Sequence, residues 1–232
     1  MLTSRWQTSV IAANAMRLLN FGEDCSKCLQ GENMQMKQEE LRQALIDGAI
    51  YVIAQNGLDK ATTKAISNAT GINEVYIYRF FTNKENLLES AFSYLDELLF
   101  SKVMLHIDVM YMPEMDYETR CRIYFFALWR FLIGNKNETL MYVHYYYSPY
   151  FAKYSADSHK KRFEPVVKRF QEAFKDEADV WMILNHIINV MLAFAMMVHN
   201  NQMPGEDDYT EHVFRVIYQA VKQYFEKGVV SE

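Results

Sequence analysis

The sequence predicts an all-α protein, a small N-terminal unit of three helices followed by a larger helical bundle, and three observations carry that expectation. Half of the 232 residues are apolar and 15% are aromatic, while only eight Gly and four Pro interrupt them, which favours long helices over short strands joined by turns. Apolar residues recur at intervals of three and four through most of the chain. Between Gly57 and Leu88, two helix-sized pieces are joined by a short turn centred on Gly71. A chain of this length buries a full core and suits one domain of ordinary size beside a smaller one.

Residues 1–36 have mixed polarity and no sustained period. Arg5, Trp6 and Arg17 with Val10, Ile11, Leu18 and Leu19 suit a short amphipathic helix, and Met34 or Met36 suits an alternative start; a loosely ordered extension is the preferred reading. The stretch lacks the continuous apolar core and small-residue cleavage site of a signal peptide. From Lys37 onward Leu41, Ala44, Leu45, Ala49, Val52 and Ile53 follow a helical repeat until Asn56 and Gly57 stop it.

Thr62 is the expected N-cap of the next piece, whose Ala65, Ile66 and Ala69 form a small, packable face. Gly71 takes the positive φ that ends this helix within a few residues, and Asn73 caps the piece that follows. In that second piece Ile72, Ile77 and Phe81 face inward and leave Glu74, Val75, Tyr76 and Arg79 outward. Two short helices crossing through so tight a turn read as a helix-turn-helix, and the outward residues suit a DNA major groove.

Asn83 then caps a long helix that begins at Lys84, and Pro113 ends a connecting segment. Tyr117 to Ile133 is apolar nearly all round and is expected to be buried centrally. A helix around Phe163 to Phe174 is expected to hold Pro165 near its first turn. Asp179 caps the apolar run from Val180 to Val198, where Asn185, His186 and Asn189 argue against a membrane span and for a buried helix. After Pro204 and Gly205 a closing helix places Val213, Ile217, Ala220, Val221 and Tyr224 on one stripe.

Gly57, Thr62, Ile66, Gly71, Ile77, Tyr78, Phe81, Lys84, Leu87 and Leu88 stand at the intervals that mark the TetR family of transcriptional regulators, which this stretch resembles. Ser67, Thr70, Val75, Tyr76 and Phe80 depart from the family's usual residues, and most of them lie near the expected DNA. The resemblance implies a helix-turn-helix DNA-binding domain at 37–83 and an effector-binding and dimerisation domain at 84–232. It also implies a homodimer through the last two long helices and a palindromic double-stranded operator.

Thr62, Thr63, Lys64, Asn73, Tyr78 and Lys84 supply hydroxyls, an amide and ammonium groups beside helix starts for phosphate oxygens, with Tyr78 similar to the family's phosphate-contacting tyrosine. Glu74, Val75, Tyr76 and Arg79 are placed for base edges and thymine methyls. Lys84 opposes the dipole of its own helix start, which also suggests a phosphate partner.

Charge argues the other way. The chain carries a net −5, and residues 37–90 hold six cations against seven anions. Non-specific attraction to nucleic acid is therefore weak. A helical homodimeric interaction protein with a degenerate helix-turn-helix remains the alternative.

Three cysteines without a secretory signal suit a reducing cytoplasm, and the lone Cys25/Cys28 pair is a poor zinc signal. No catalytic constellation or Gly-rich phosphate loop stands out, so no enzyme, cofactor or metal is expected. The middle of the chain is rich in Phe, Tyr, Trp and Met. A small hydrophobic or aromatic effector is expected against Phe126, Trp129, Arg130, Tyr142, Tyr146, His186, Asn189 and Met191, lowering operator affinity as in a repressor.

Overall fold

The computed structural model describes residues 27–205 and 207–225, and every regular element among them is helical. Arg5, Trp6, Arg17 and Cys25, together with the side chain of Cys28, lie outside the described residues. The chain divides into two compact units, Met1–Ala91 and Phe92–Glu232.

In the first unit α1 spans Lys27–Asn56 and so begins at Lys27 rather than at Lys37. Gly57, at φ 78°, ends it, with its N–H donating to the Ile53 carbonyl at 2.8 Å. A short 3₁₀ turn over Leu58–Lys60 leads to α2, Thr63–Thr70, where Thr62 Oγ1 accepts from the Ala65 N–H at 3.1 Å. Gly71 closes α2 in the left-handed region at φ 71°, its N–H donating to the Ser67 carbonyl at 2.9 Å.

The next helix, α3, spans Val75–Phe81. Asn73 Oδ1 accepts from the Val75 N–H at 3.0 Å and the Asn73 carbonyl from the Tyr76 N–H at 3.0 Å. Glu74 already has helical angles and no side-chain cap bond, so Asn73 is the residue that caps α3. Thr82 makes the turn into α4, Lys84–His106, at φ 65° and ψ −46°, and the Asn83 N–H donates to the Phe81 carbonyl at 2.6 Å. That i to i+2 bond is a γ-turn, a strained conformation for a threonine. Asn83 Oδ1 caps α4 by accepting from the Asn86 N–H at 2.8 Å.

The inner face of α2 differs from the expected one. Ile66 and Thr70 are buried, and Ala69 is exposed. Thr70 reaches the interior because its hydroxyl is satisfied locally, donating to the Ile66 carbonyl at 2.9 Å and accepting from the Ile72 N–H at 3.2 Å. Its methyl presses on α1 at Gly48, where a Cβ would lie 2.1 Å from Thr70 Cγ2. Only glycine permits so close an approach of the two helices.

The second unit holds the remainder of α4, then α5 (Tyr117–Gly134), α6 (Lys136–Tyr146), α7 (Ala156–Gln171), α8 (Val180–His199) and α9 (Asp207–Val221), with a π-helical turn over Phe151–Ser155. Asp116 and Asp179 cap α5 and α8, each accepting from a backbone N–H at 2.9 Å. Phe92 stacks on Tyr145 at 4.7 Å, and Phe125 lies between Trp129 and Phe214 at 5.9 and 5.5 Å. Pro165 lies inside α7, well past its first turn, because the helix begins already at Ala156. Its ring is exposed, so the bond it omits faces water.

Two expectations for the last helices need correction. α8 is long and apolar enough to cross a membrane by length and composition, yet it is buried on one face only: Ile183, Met191, Leu192 and Ala195 point inward, while Met182, His186, Ala193 and Met197 form an exposed row. On α9, Val213, Ile217 and Val221 are buried within the bundle, and the outward apolar residues are Tyr209 and Val216. The sequence of α9 offers apolar residues on both sides, and contact with Phe125 and the rest of the bundle selects the Val213 side as the inner one.

Candidate functional site

The first unit presents α3 with its start uncovered. Val75 is 67% exposed and Tyr78 is 55% exposed, with Arg79 and Asn73 exposed beside them. Ile77 and Phe81 are buried, so the same seven-residue helix that anchors inward projects three side chains outward. Tyr76 is half-buried and stacks on Phe80 at 6.0 Å, and Glu74, Thr63 and Lys84 are half-buried too. Thr62 and Lys64 are exposed at the start of α2.

Cations and acids are spread differently over this unit. Lys64 and Arg79 stand out on the two helices of the turn, while Arg42 on α1 lies over the Phe81 ring at 5.1 Å. Asp47, also on α1, is half-buried, and burial raises its carboxyl pKa against the opposing hydrogen bond from Gln43 Nε2 at 2.9 Å.

The second unit holds a cavity of ≈ 130 Å³ walled almost wholly by hydrocarbon, with side chains from each of α4, α5, α6, α7, α8 and α9. Of the eight residues expected around an effector, Tyr142, Tyr146 and Met191 line it. Phe126, Trp129, Arg130, His186 and Asn189 do not. Helical phase explains the split, because the α5 stripe on the cavity is Tyr117, Cys121, Tyr124 and Leu128, which turns Phe126 and Arg130 elsewhere and leaves Arg130 exposed. Trp129 is buried, but in the stack with Phe125. On α8 the stripe is Trp181, Asn185, Ile188 and Leu192; His186 lies on the outer row, and Asn189 bonds to Asn185 and Tyr147.

The polar residues that matter most here are ones the pattern did not single out. Asp96, on α4, is fully buried and accepts hydrogen bonds from Tyr142 Oη at 3.0 Å and His159 Nδ1 at 2.8 Å and from the Arg162 guanidinium. Arg162 also reaches Glu97 at 2.9 Å and Ser93 at 3.1 Å. Burial pushes the Tyr142 hydroxyl well above the usual phenol range, and the Asp96 carboxylate adds to the rise. One signal was available in the sequence: Asp96 is a carboxylate directly beside the apolar stripe of Phe92, Leu95 and Leu99. Its partners on α7 were not, since they come from more than sixty residues away.

Elsewhere on the cavity wall the buried Tyr117 hydroxyl makes no well-formed hydrogen bond among the described residues, and the Cys121 thiol beside it is its polar neighbour. Burial pushes the Cys121 thiol up to about 12, so it is not a nucleophile at neutral pH. Among the described residues no group of three or more His, Cys, Asp or Glu is arranged to hold a metal ion.

A compact head whose second short helix is capped, anchored by Ile77 and Phe81 and outwardly bare, together with a helical second unit, defines a DNA-binding regulator of the helix-turn-helix type. Residues 45–91 match the family model described as bacterial regulatory proteins, tetR family. Residues 45–91 thus carry the pattern of that family's DNA-binding head, and the chain as a whole has the fold of TetR family regulators. A TetR family transcription regulator from Marinobacter aquaeolei VT8 is 14% identical with a TM-score of 0.64, covering 81% of this chain and 97% of its own. A putative tetR family transcription regulator from Shewanella sp. PV-4 is 15% identical with a TM-score of 0.64, covering 77% and 96%. The transcriptional regulator FadR from Bacillus subtilis in complex with stearoyl-CoA is 18% identical with a TM-score of 0.59, covering 75% and 96%. At such identities these likenesses carry the fold. Regulators of this family are transcription factors and not enzymes.

Proposed function

We propose that this protein is a cytoplasmic homodimeric repressor that binds a palindromic operator through residues between Thr62 and Lys84 and leaves it when a small apolar effector occupies the cavity of the second unit. In this reading residues 37–83 are the DNA-binding domain and residues 84–232 the effector and dimerisation domain. The observation that carries it is the exposed set Val75, Tyr78 and Arg79 on a capped, inwardly anchored helix. Val75 and Tyr76 suit thymine methyls, and Tyr78 and Lys84 suit phosphates.

Dimerisation is supported by the outer apolar rows, with Met182 56% exposed and Val216 57% exposed on the two helices expected to pair. The effector half of the reading is supported by the hydrocarbon-walled cavity, and the bound stearoyl-CoA of the Bacillus subtilis FadR supports an apolar ligand in a chain of this fold.

Gel shifts against the DNA upstream of its own coding region test the proposal. Tyr78→Ala and Lys84→Ala weaken binding evenly across operators and flatten its salt dependence, whereas Tyr76→Ala changes sequence preference. Unaltered binding by both phosphate variants removes the assignment and leaves the interaction-protein alternative. Val216→Glu and Met182→Glu yield monomers in light scattering. An effector that couples to the operator by about 1–3 kcal/mol changes operator affinity roughly 5- to 150-fold, and operator DNA weakens effector binding by the same factor.

A further inference from the structure

The cavity in the second unit, at ≈ 130 Å³, has room for a small molecule and not for a chain. Resting on the effector reading above, we propose that it takes an uncharged apolar molecule of a single ring, between benzene and toluene in size, and turns away fused rings, charged rings and long acyl chains.

Volume sets the first limit. A hydrocarbon-walled protein cavity of about 150 Å³ stays dry and takes up benzene, and ≈ 130 Å³ lies close to that value. A second fused ring or an extended chain enters only if the wall moves, and a packed interior resists such movement.

Polarity sets the second limit. Among the described residues no Asp, Glu, Lys or Arg lines the cavity. Polar groups on the wall are spent on the protein itself: Tyr142 Oη donates to Asp96 at 3.0 Å, Tyr124 Oη to the Val103 carbonyl at 3.2 Å and Tyr146 Oη to Asn185 Oδ1 at 3.2 Å. The Asn185 amide in turn donates to the Trp181 carbonyl at 2.8 Å. His159 is held by Asp96 at 2.8 Å, and Asp96 is bonded to Arg162, so these charges answer one another behind the wall. A carboxylate or ammonium group on a ligand would lose its water there and gain no counter-charge.

The surfaces that remain are largely aromatic. Phe163 meets the His159 ring at 4.7 Å, Tyr124 meets Phe170 edge-on at 5.7 Å, and Phe125 and Phe214 lie 5.5 Å apart. All six rings line the cavity. A flat ring entering among them finds the edge-to-face and offset contacts that aromatic pairs favour. Small, neutral and flat together describe the ligand.

Calorimetric titration of the full chain with toluene, naphthalene, benzoate, benzylammonium and decanoate tests this. Toluene binds tightest, naphthalene about tenfold or more weaker, and the three ions about a hundredfold or more weaker. Leu128→Phe adds bulk to the wall and weakens toluene, whereas Leu128→Ala enlarges the space and raises naphthalene affinity relative to toluene. Should these variants fail to fold by circular dichroism, the ranking of the five compounds on the unaltered chain decides alone. Naphthalene or any of the ions binding as tightly as toluene overturns the proposal while leaving an effector cavity in place. So does a folded Leu128→Phe chain that binds toluene unchanged. Toluene that ranks first but leaves affinity for the upstream DNA untouched upholds the ligand class and removes the effector role. Binding by none of the five overturns both.

Discussion

The two units satisfy their polar groups over different distances along the chain. In the head, Thr62 caps Ala65, Asn73 caps Val75, Asn83 caps Asn86, and Thr70 bonds to Ile66 and Ile72, so each bond closes within four residues. In the second unit the buried bonds join distant segments: Asp96 to His159 and Arg162, Tyr146 to Asn185, His199 to the Leu132 carbonyl. The units differ in density as well. The head is closed to the point that Gly48 has no room for a methyl group, whereas the second unit is hollow. A surface that reads DNA needs fixed spacing between its helices, and a chamber for a ligand needs unfilled volume held open by a rigid frame.

Removing the hub of the distant network is the strongest test of this contrast. Asp96→Ala leaves Arg162 and His159 without their shared carboxylate, and costs about 3–5 kcal/mol in urea denaturation. Asn73→Ala, which deletes a local cap in the head, costs about 1 kcal/mol. If the two losses are equal, long-range polar contacts do not hold the second unit as described.

Crowding is the next lever. Gly48→Ala drives a Cβ into Thr70 Cγ2 and destabilises the head by about 1–3 kcal/mol, visible as early melting and weaker operator binding. Leu128→Phe or Val167→Ile adds atoms at the cavity wall, and the wall has space to take them; the cost of the smaller change, Val167→Ile, stays within about 0.5 kcal/mol.

Acidification gives a smaller effect confined to the second unit. Burial lowers the pKa of His199, and its hydrogen bond to the Leu132 carbonyl only partly opposes this. The folded form therefore binds the proton less readily than the unfolded chain. Stability is full above the ordinary value of 6.5 and declines as the pH falls through 6.5 toward the depressed folded value. Thermal melts between about pH 7.5 and 5.5 show that decline, and His199→Gln removes most of it.

The same difference in range decides what could be read from the chain. The caps at Thr62, Asn73, Asn83 and Asp179 and the left-handed turn at Gly71 were legible because each is made by residues within a few positions of one another. The family resemblance lay in the same stretch, and residues 45–91 carry it in the family match. Thr70 was harder, since its hydroxyl marks it as a surface residue until its local bonds and the notch at Gly48 are known.

In the second unit composition announced an apolar space but not its walls. Tyr142, Tyr146 and Met191 face it, and Phe126, Trp129, Arg130, His186 and Asn189 do not, although all eight belong to helices that border it.

By itself, then, the sequence determined the helical class, the helix-turn-helix with its capped ends, and the apolar supply of the bundle, because periodicity, caps and glycine turns act between near neighbours on the chain. Which face of α9 lies inward, that α8 keeps an uncovered row, and that Asp96, His159 and Arg162 meet beside a cavity that Tyr117 also borders were decided only in three dimensions. An apolar helix with two greasy sides carries no local preference between them, and a buried carboxylate is tolerable only once cations and hydroxyls from distant helices have arrived around it.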